Sequence, residues 1–105
     1  MRYMVVERYP EGPGPVYETA ARCGRMLPDG LGYVDSWVVA DAKLDRCFQL
    51  METDDPALFD VWAERWSGLA EIEVCPVIDS AEAALRVAIN WDGSDAPVTP
   101  PPSGP

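Results

Sequence analysis

The chain is 105 residues long, carries 18 acidic against 8 basic side chains for a formal charge of −10, and has no histidine. That length suits one domain, and a composition of 48% hydrophobic and 25% charged residues supplies enough apolar mass for a core. The missing histidine excludes a Ser-His-Asp triad, a histidine general base and histidine-ligated zinc or haem, while the acidic balance lacks the basic footprint that nucleic acid requires.

Residues 2–8 are β-rich and run into Tyr9-Pro10-Glu11-Gly12-Pro13-Gly14, which predicts a strand followed by a loop. Pro15 fits the first turn of a helix, where its missing N–H costs nothing; Val16, Ala20, Cys23 and Leu27 recur at helical spacing, and Pro28 closes the segment. Asp29-Gly30 turns into a second strand over Leu31 to Val39. Ala40 to Asp45 is a hairpin loop, and Arg46 to Thr53 a third strand. Asp55-Pro56 starts a helix in which Leu58, Phe59, Trp62 and Trp66 share a face, and Gly68 ends it. Glu71 to Val77 reads as a fourth strand. Asp79 with Glu82 resembles a capping box that opens a last helix. The domain spans 1–91. Five prolines in 97–105 mark 92–105 as an extended, disordered proline-rich tail.

The order β-α-β-β-α-β-α contains the ferredoxin-like βαββαβ motif plus an extra C-terminal helix. This α+β topology makes a four-stranded antiparallel sheet with helices on one face. The other face is uncovered yet apolar, which predicts a partner. Cysteines 23, 47 and 75 form no C-x-x-C pair and sit among apolar neighbours, so they read as buried free thiols suited to a reducing cytoplasm. The N-terminal run Met1-Arg2-Tyr3-Met4-Val5-Val6-Glu7-Arg8 meets a charge after six residues, too soon for a signal peptide, and no apolar run approaches the roughly 18 residues of a membrane helix. The expected location is cytoplasmic, with no membrane or nucleic-acid partner.

Strand alternation sorts the polar candidates into two sets. One holds Tyr3, Val5 and Glu7 with Tyr33, Asp35, Trp37, Phe48, Leu50 and Glu52. The other holds Met4, Val6 and Arg8 with Val34, Ser36, Val38, Cys47, Gln49 and Met51. Glu7 and Glu52 fall at opposite ends of the sheet, so the carboxylates read as solvated or ion-paired strand ends and not as an acid/base dyad. Gln49 and Ser36, on neighbouring strands, either orient a ligand carbonyl or hydroxyl or tie the sheet by a structural hydrogen bond. Tyr33 and Trp37 are candidates to line a pocket for a planar ligand, whereas Trp62 and Trp66 read as core. Arg25 either recognises an acidic group or complements the first helix's dipole. Asp54-Asp55 reads as a cap and not a metal site, and Gly12-Pro13-Gly14 lacks the Lys-Ser or Lys-Thr of a phosphate loop.

Several stretches carry a resemblance: Arg2-Tyr3-Met4-Val5-Val6-Glu7-Arg8, Gly24-Arg25-Met26-Leu27-Pro28, Tyr33-Val34-Asp35-Ser36-Trp37, Arg46-Cys47-Phe48-Gln49-Leu50-Met51-Glu52 and Trp62-Ala63-Glu64-Arg65-Trp66. On these the chain resembles the dimeric α/β-barrel superfamily, and within it a bacterial group that is a domain of unknown function. The resemblance implies a homodimer packed sheet against sheet. It also brings reaction classes: haem degradation, which lacks its histidine here, and cofactor-free isomerisation, cyclisation or monooxygenation. The expectation is a small protein that binds a hydrophobic or aromatic metabolite in a cofactor-free, metal-free pocket, with Gln49, Ser36, Tyr33, Trp37 and Arg25 as contacts. The alternative is a non-catalytic dimeric interaction or regulatory module that uses its tail.

Overall fold

In the computed structural model, residues 1–90 are described; the expected tail over 92–105 lies outside them. Seven elements follow the expected order: β1 (Arg2–Arg8), α1 (Pro13–Cys23), β2 (Gly32–Val38), β3 (Arg46–Glu52), α2 (Leu58–Arg65), β4 (Glu71–Val77) and α3 (Ser80–Asn90). The strands form one antiparallel sheet in the order β2-β3-β1-β4. The fold is ferredoxin-like, with an added C-terminal helix.

Helix ends differ from the sequence reading for local reasons. α1 stops at Cys23 and not near Pro28, because Gly24 takes a left-handed φ of 67° and its N–H closes on the Ala20 carbonyl at 2.8 Å. The four residues that follow become a connection instead of a last helical turn. At α2 the helix starts at Leu58 and not at Pro56: Asp55 Oδ1 accepts the Ala57 N–H at 3.1 Å within a tight turn through Pro56 that precedes the helix, and no side chain caps the helix itself. Asp79 Oδ1 accepts the Glu82 N–H at 2.8 Å, which forms half of the expected capping box at α3.

Register corrects the assignment of faces. Val5 lies opposite Gln49, and Glu7 opposite Cys47, so the odd residues of β1 share a face with Cys47, Gln49 and Met51. The two sets read from alternation paired these strands the wrong way round, because alternation fixes parity within a strand and not between strands. A bulge in β2 supplies a second correction. Tyr33 pairs with Met51 but Asp35 with Leu50, so Val34 is an extra residue, and Tyr33 joins Ser36 and Val38 on one face while Asp35 and Trp37 turn to the other.

The helix-covered face holds the core. Val5 and Met51 are fully buried, and Val16 from α1 with Phe59 and Trp62 from α2 pack onto them. Tyr3, Phe59 and Trp62 form an edge-to-face chain with centroids 5.1 and 6.5 Å apart. The opposite face presents Met4, Val6, Phe48, Leu50 and Val77, all half-buried, beside a half-exposed Trp37, and no helix covers it among the described residues. Cys75 lies on this open face, opposite Met4. It and Cys23 are exposed, so only Cys47 fits the expectation of buried thiols. Free sulfur at a strand or helix surface has the same apolar neighbours in sequence as buried sulfur, which misled that reading.

Trp62 is the largest side chain fully inside the core. Trp62→Ala is expected to cost about 3–5 kcal/mol, and Trp62→Phe distinctly less, read as shifts of the urea midpoint.

Candidate functional site

The outer ends of β1 and β3 do not close against the helices. Between them, α1 and the end of α2 lies a cavity of about 300 Å³. Helical spacing builds two of its walls. Val16 and Ala20 stand one turn apart on α1, and Trp62 on α2 stands one turn before Trp66, the residue that ends that helix. The sheet supplies the floor through Glu7, Cys47 and Gln49.

Glu7 is 95% buried, at 5% exposure, on the core face of its strand. Its Oε1 accepts the Tyr9 hydroxyl at 3.0 Å, and Tyr9, itself buried, is anchored through its backbone N–H to the Asp45 carbonyl at 2.9 Å. Burial raises the Glu7 pKa above its ordinary range, against the opposing pull of the Gln49 amide, the Tyr9 hydroxyl, the Arg25 charge and the Cys47 thiol. Tyr9 and Cys47 are both pushed up as well, first by burial and then by the nearby Glu7 charge. The floor is thus a set of proton-holding groups in an apolar setting. A carboxyl of this kind holds its proton more readily than an exposed one.

Arg25 reaches the cavity through a fixed backbone. Its carbonyl accepts both indole N–H groups, from Trp62 at 2.8 Å and from Trp66 at 2.9 Å. The next residue, Met26, holds a left-handed φ of 57°, and Arg65 donates to its carbonyl at 2.8 Å. Three side chains at the end of α2 therefore pin the connection after α1, and they offset the roughly 1–2 kcal/mol that left-handed backbone costs an ordinary residue. The Arg25 guanidinium lies 3.6 Å from the centre of the Tyr33 ring.

Of the five expected contacts, Gln49 and Arg25 line the cavity. Ser36 pairs with Gln49 in register, but its hydroxyl is bound to the Tyr33 hydroxyl at 2.7 Å. Neither lines the cavity, and Tyr33 is joined to it through the stacked Arg25. Trp37 pairs with Phe48 and projects from the open face, so it does not share a cavity with Gln49. Glu7 and Tyr9 were missed. Glu7 sits one position from a strand end, where a carboxylate is usually solvated, and the apolar alternation through Tyr3 and Val5 was the signal that it points inward. Trp62 and Trp66 are core as expected, and they wall the cavity too.

A second recess of about 420 Å³, near Gly30, Gly32 and Asp54, is more open and polar and holds no buried titratable group. Among the described residues no cluster of His, Cys, Asp or Glu could hold a metal ion, and no helix is long and apolar enough to cross a membrane.

A ferredoxin-like domain with a buried carboxyl under a tryptophan-walled cavity is the class that fold and site define. Residues 1–88 match the family described as Domain of unknown function (DUF3303), and the chain belongs to it. No curated protein matches the chain. Among solved structures, it is similar to an arginine-to-serine variant of MhuD, crystallised with two manganese protoporphyrin IX bound per active site. The two share 16% identity with a TM-score of 0.37, over 74% of this chain and 94% of that one.

The raised Glu7 pKa carries a sign for stability. The fold favours the acid form, so the stability this confers is complete below the ordinary value of 4.5 and is lost as pH rises through the raised value. Glu7→Gln keeps the neutral form at every pH. Urea titrations are expected to find the variant close to wild type below the ordinary carboxylate range and more stable than wild type at neutral pH.

Proposed function

We propose that the protein binds a hydrophobic or aromatic metabolite, without a cofactor, in the cavity above Glu7, and that Glu7 moves a proton on it. The supporting observation is the buried Glu7–Tyr9 pair beneath Trp62 and Trp66, an acid/base group inside a mostly apolar pocket. In an isomerase- or cyclase-type reaction, the ionised Glu7 takes a proton from carbon. The C–H electron pair enters the adjoining π system of the ligand, and the acid form of Glu7 returns the proton at a second position. Burial brings the two forms of Glu7 closer in free energy, which favours both half-steps.

An iron porphyrin does not fit these residues. The chain has no histidine, and the Cys47 thiol and Tyr9 hydroxyl are both held in their protonated forms. No step is assigned to such a group.

The working form is a homodimer in the cytoplasm, where three unpaired thiols persist. A second copy suits the open face for two reasons. Its centre is apolar through Met4, Val6, Phe48 and Leu50. Its rim mixes Arg2, Arg8 and Arg46 with Asp35, Glu52, Glu71 and Glu73, so it is nearly charge-balanced in a chain whose net charge is −10. A copy meeting this face avoids the repulsion that the rest of the surface imposes.

Native mass spectrometry of gently purified protein tests the reading. Expected is twice the chain mass with a discrete organic adduct. Ala20→Leu, which fills the cavity from α1, is expected to strip the adduct and keep the dimer, and Phe48→Asp to yield monomer. A bare chain in every preparation contradicts the cavity reading, and a wild-type monomer contradicts the pairing.

A further inference from the structure

We propose that the ligand presents a hydroxyl or N–H donor to the floor of the cavity, as a phenol, an enol or a ring N–H does, and that Gln49 selects for it. This rests on the reading of the cavity as a ligand site and names the chemistry of what enters. Gln49 is 93% buried, at 7% exposure, and lines the floor. Among the described residues its Oε1 is the one buried side-chain nitrogen or oxygen with no hydrogen-bond partner.

Two donors that line the cavity, the Arg25 guanidinium, stacked on Tyr33, and the Tyr17 hydroxyl, make no hydrogen bond to Gln49 Oε1, and the others are committed elsewhere. The Tyr9 hydroxyl donates to Glu7 at 3.0 Å. The Ser36 hydroxyl, on the residue directly across from Gln49, is engaged with Tyr33 at 2.7 Å. Both indole N–H groups of the wall go to the Arg25 carbonyl. The Cys47 thiol is a weak donor. The floor therefore presents an unpartnered acceptor, Gln49 Oε1, near the Glu7 carboxyl, with no protein donor bound to it. An orphaned buried acceptor is costly, and a ligand donor removes that cost. A ligand of the same shape without a donor leaves the acceptor orphaned, which is how a site of this kind discriminates.

Matched pairs test this by calorimetry on the full chain: 2-naphthol against 2-methoxynaphthalene, and phenol against anisole. The hydroxyl compounds are expected to bind about tenfold tighter or more, although the ethers are the more hydrophobic. Gln49→Met is expected to bring the ratio to about one while the ethers keep their affinity. Equal binding of both members by the wild type overturns the inference and leaves the cavity reading standing; it is also the result if a water already satisfies Gln49. A preference that survives Gln49→Met overturns it too. Failure of all four compounds to bind overturns both this inference and the cavity reading. The wild-type ratio is decisive by itself, even where Gln49→Met does not fold.

Discussion

The carboxyl of Glu7 on the covered face of the sheet is the constraint around which the rest is arranged. Tyr3, Val5 and Glu7 share one face, and the first two are ordinary core positions. Carrying that stripe one step further puts an ionisable group where an apolar one is expected. The surroundings answer with hydrogen-bonding groups and not with a close ion pair. Tyr9 donates to the carboxyl directly, and Arg25 acts on it only through its field. The cost of burying the group favours its acid form, and the cavity lies beside it.

The two helices shape this environment by different means. α1 contributes small and β-branched side chains at one-turn spacing, which leave room. α2 contributes two indoles that fill space and whose N–H groups both hold the Arg25 carbonyl. Core packing and site construction are thus the same contacts seen from two sides. The opposite face of the sheet has no part in the cavity. Its apolar centre and mixed rim lie on the side of the sheet away from the cavity.

Much of the architecture was legible in the chain. Element order and the limits of β1 and β4 followed from turn residues and alternation, whereas Asp55 closes the turn ahead of α2 and does not cap the helix itself. The site was less so. Gln49 was recognisable because an amide in the middle of an apolar strand needs a reason. Glu7 was harder to read, because strand-end carboxylates are usually solvated and only the alternation of Tyr3 and Val5 pointed it inward. The faces failed on register, which side-chain parity does not contain, and Tyr33 failed on the Val34 bulge. Arg25 was visible as a cation near a helix end. Its position depends on Trp62 and Trp66, some forty residues away, a relation that no local pattern encodes.

The most direct measurement is an NMR titration of the Glu7 side-chain carboxyl carbon in wild type and in Tyr9→Phe. The account predicts a midpoint above the ordinary carboxylate value in wild type, and one higher still in Tyr9→Phe, where the hydroxyl that favours the ionised form is gone. A wild-type midpoint at or below the ordinary value would mean that Glu7 is solvated or ion-paired. It would contradict the reading of the cavity floor as a proton-transfer site.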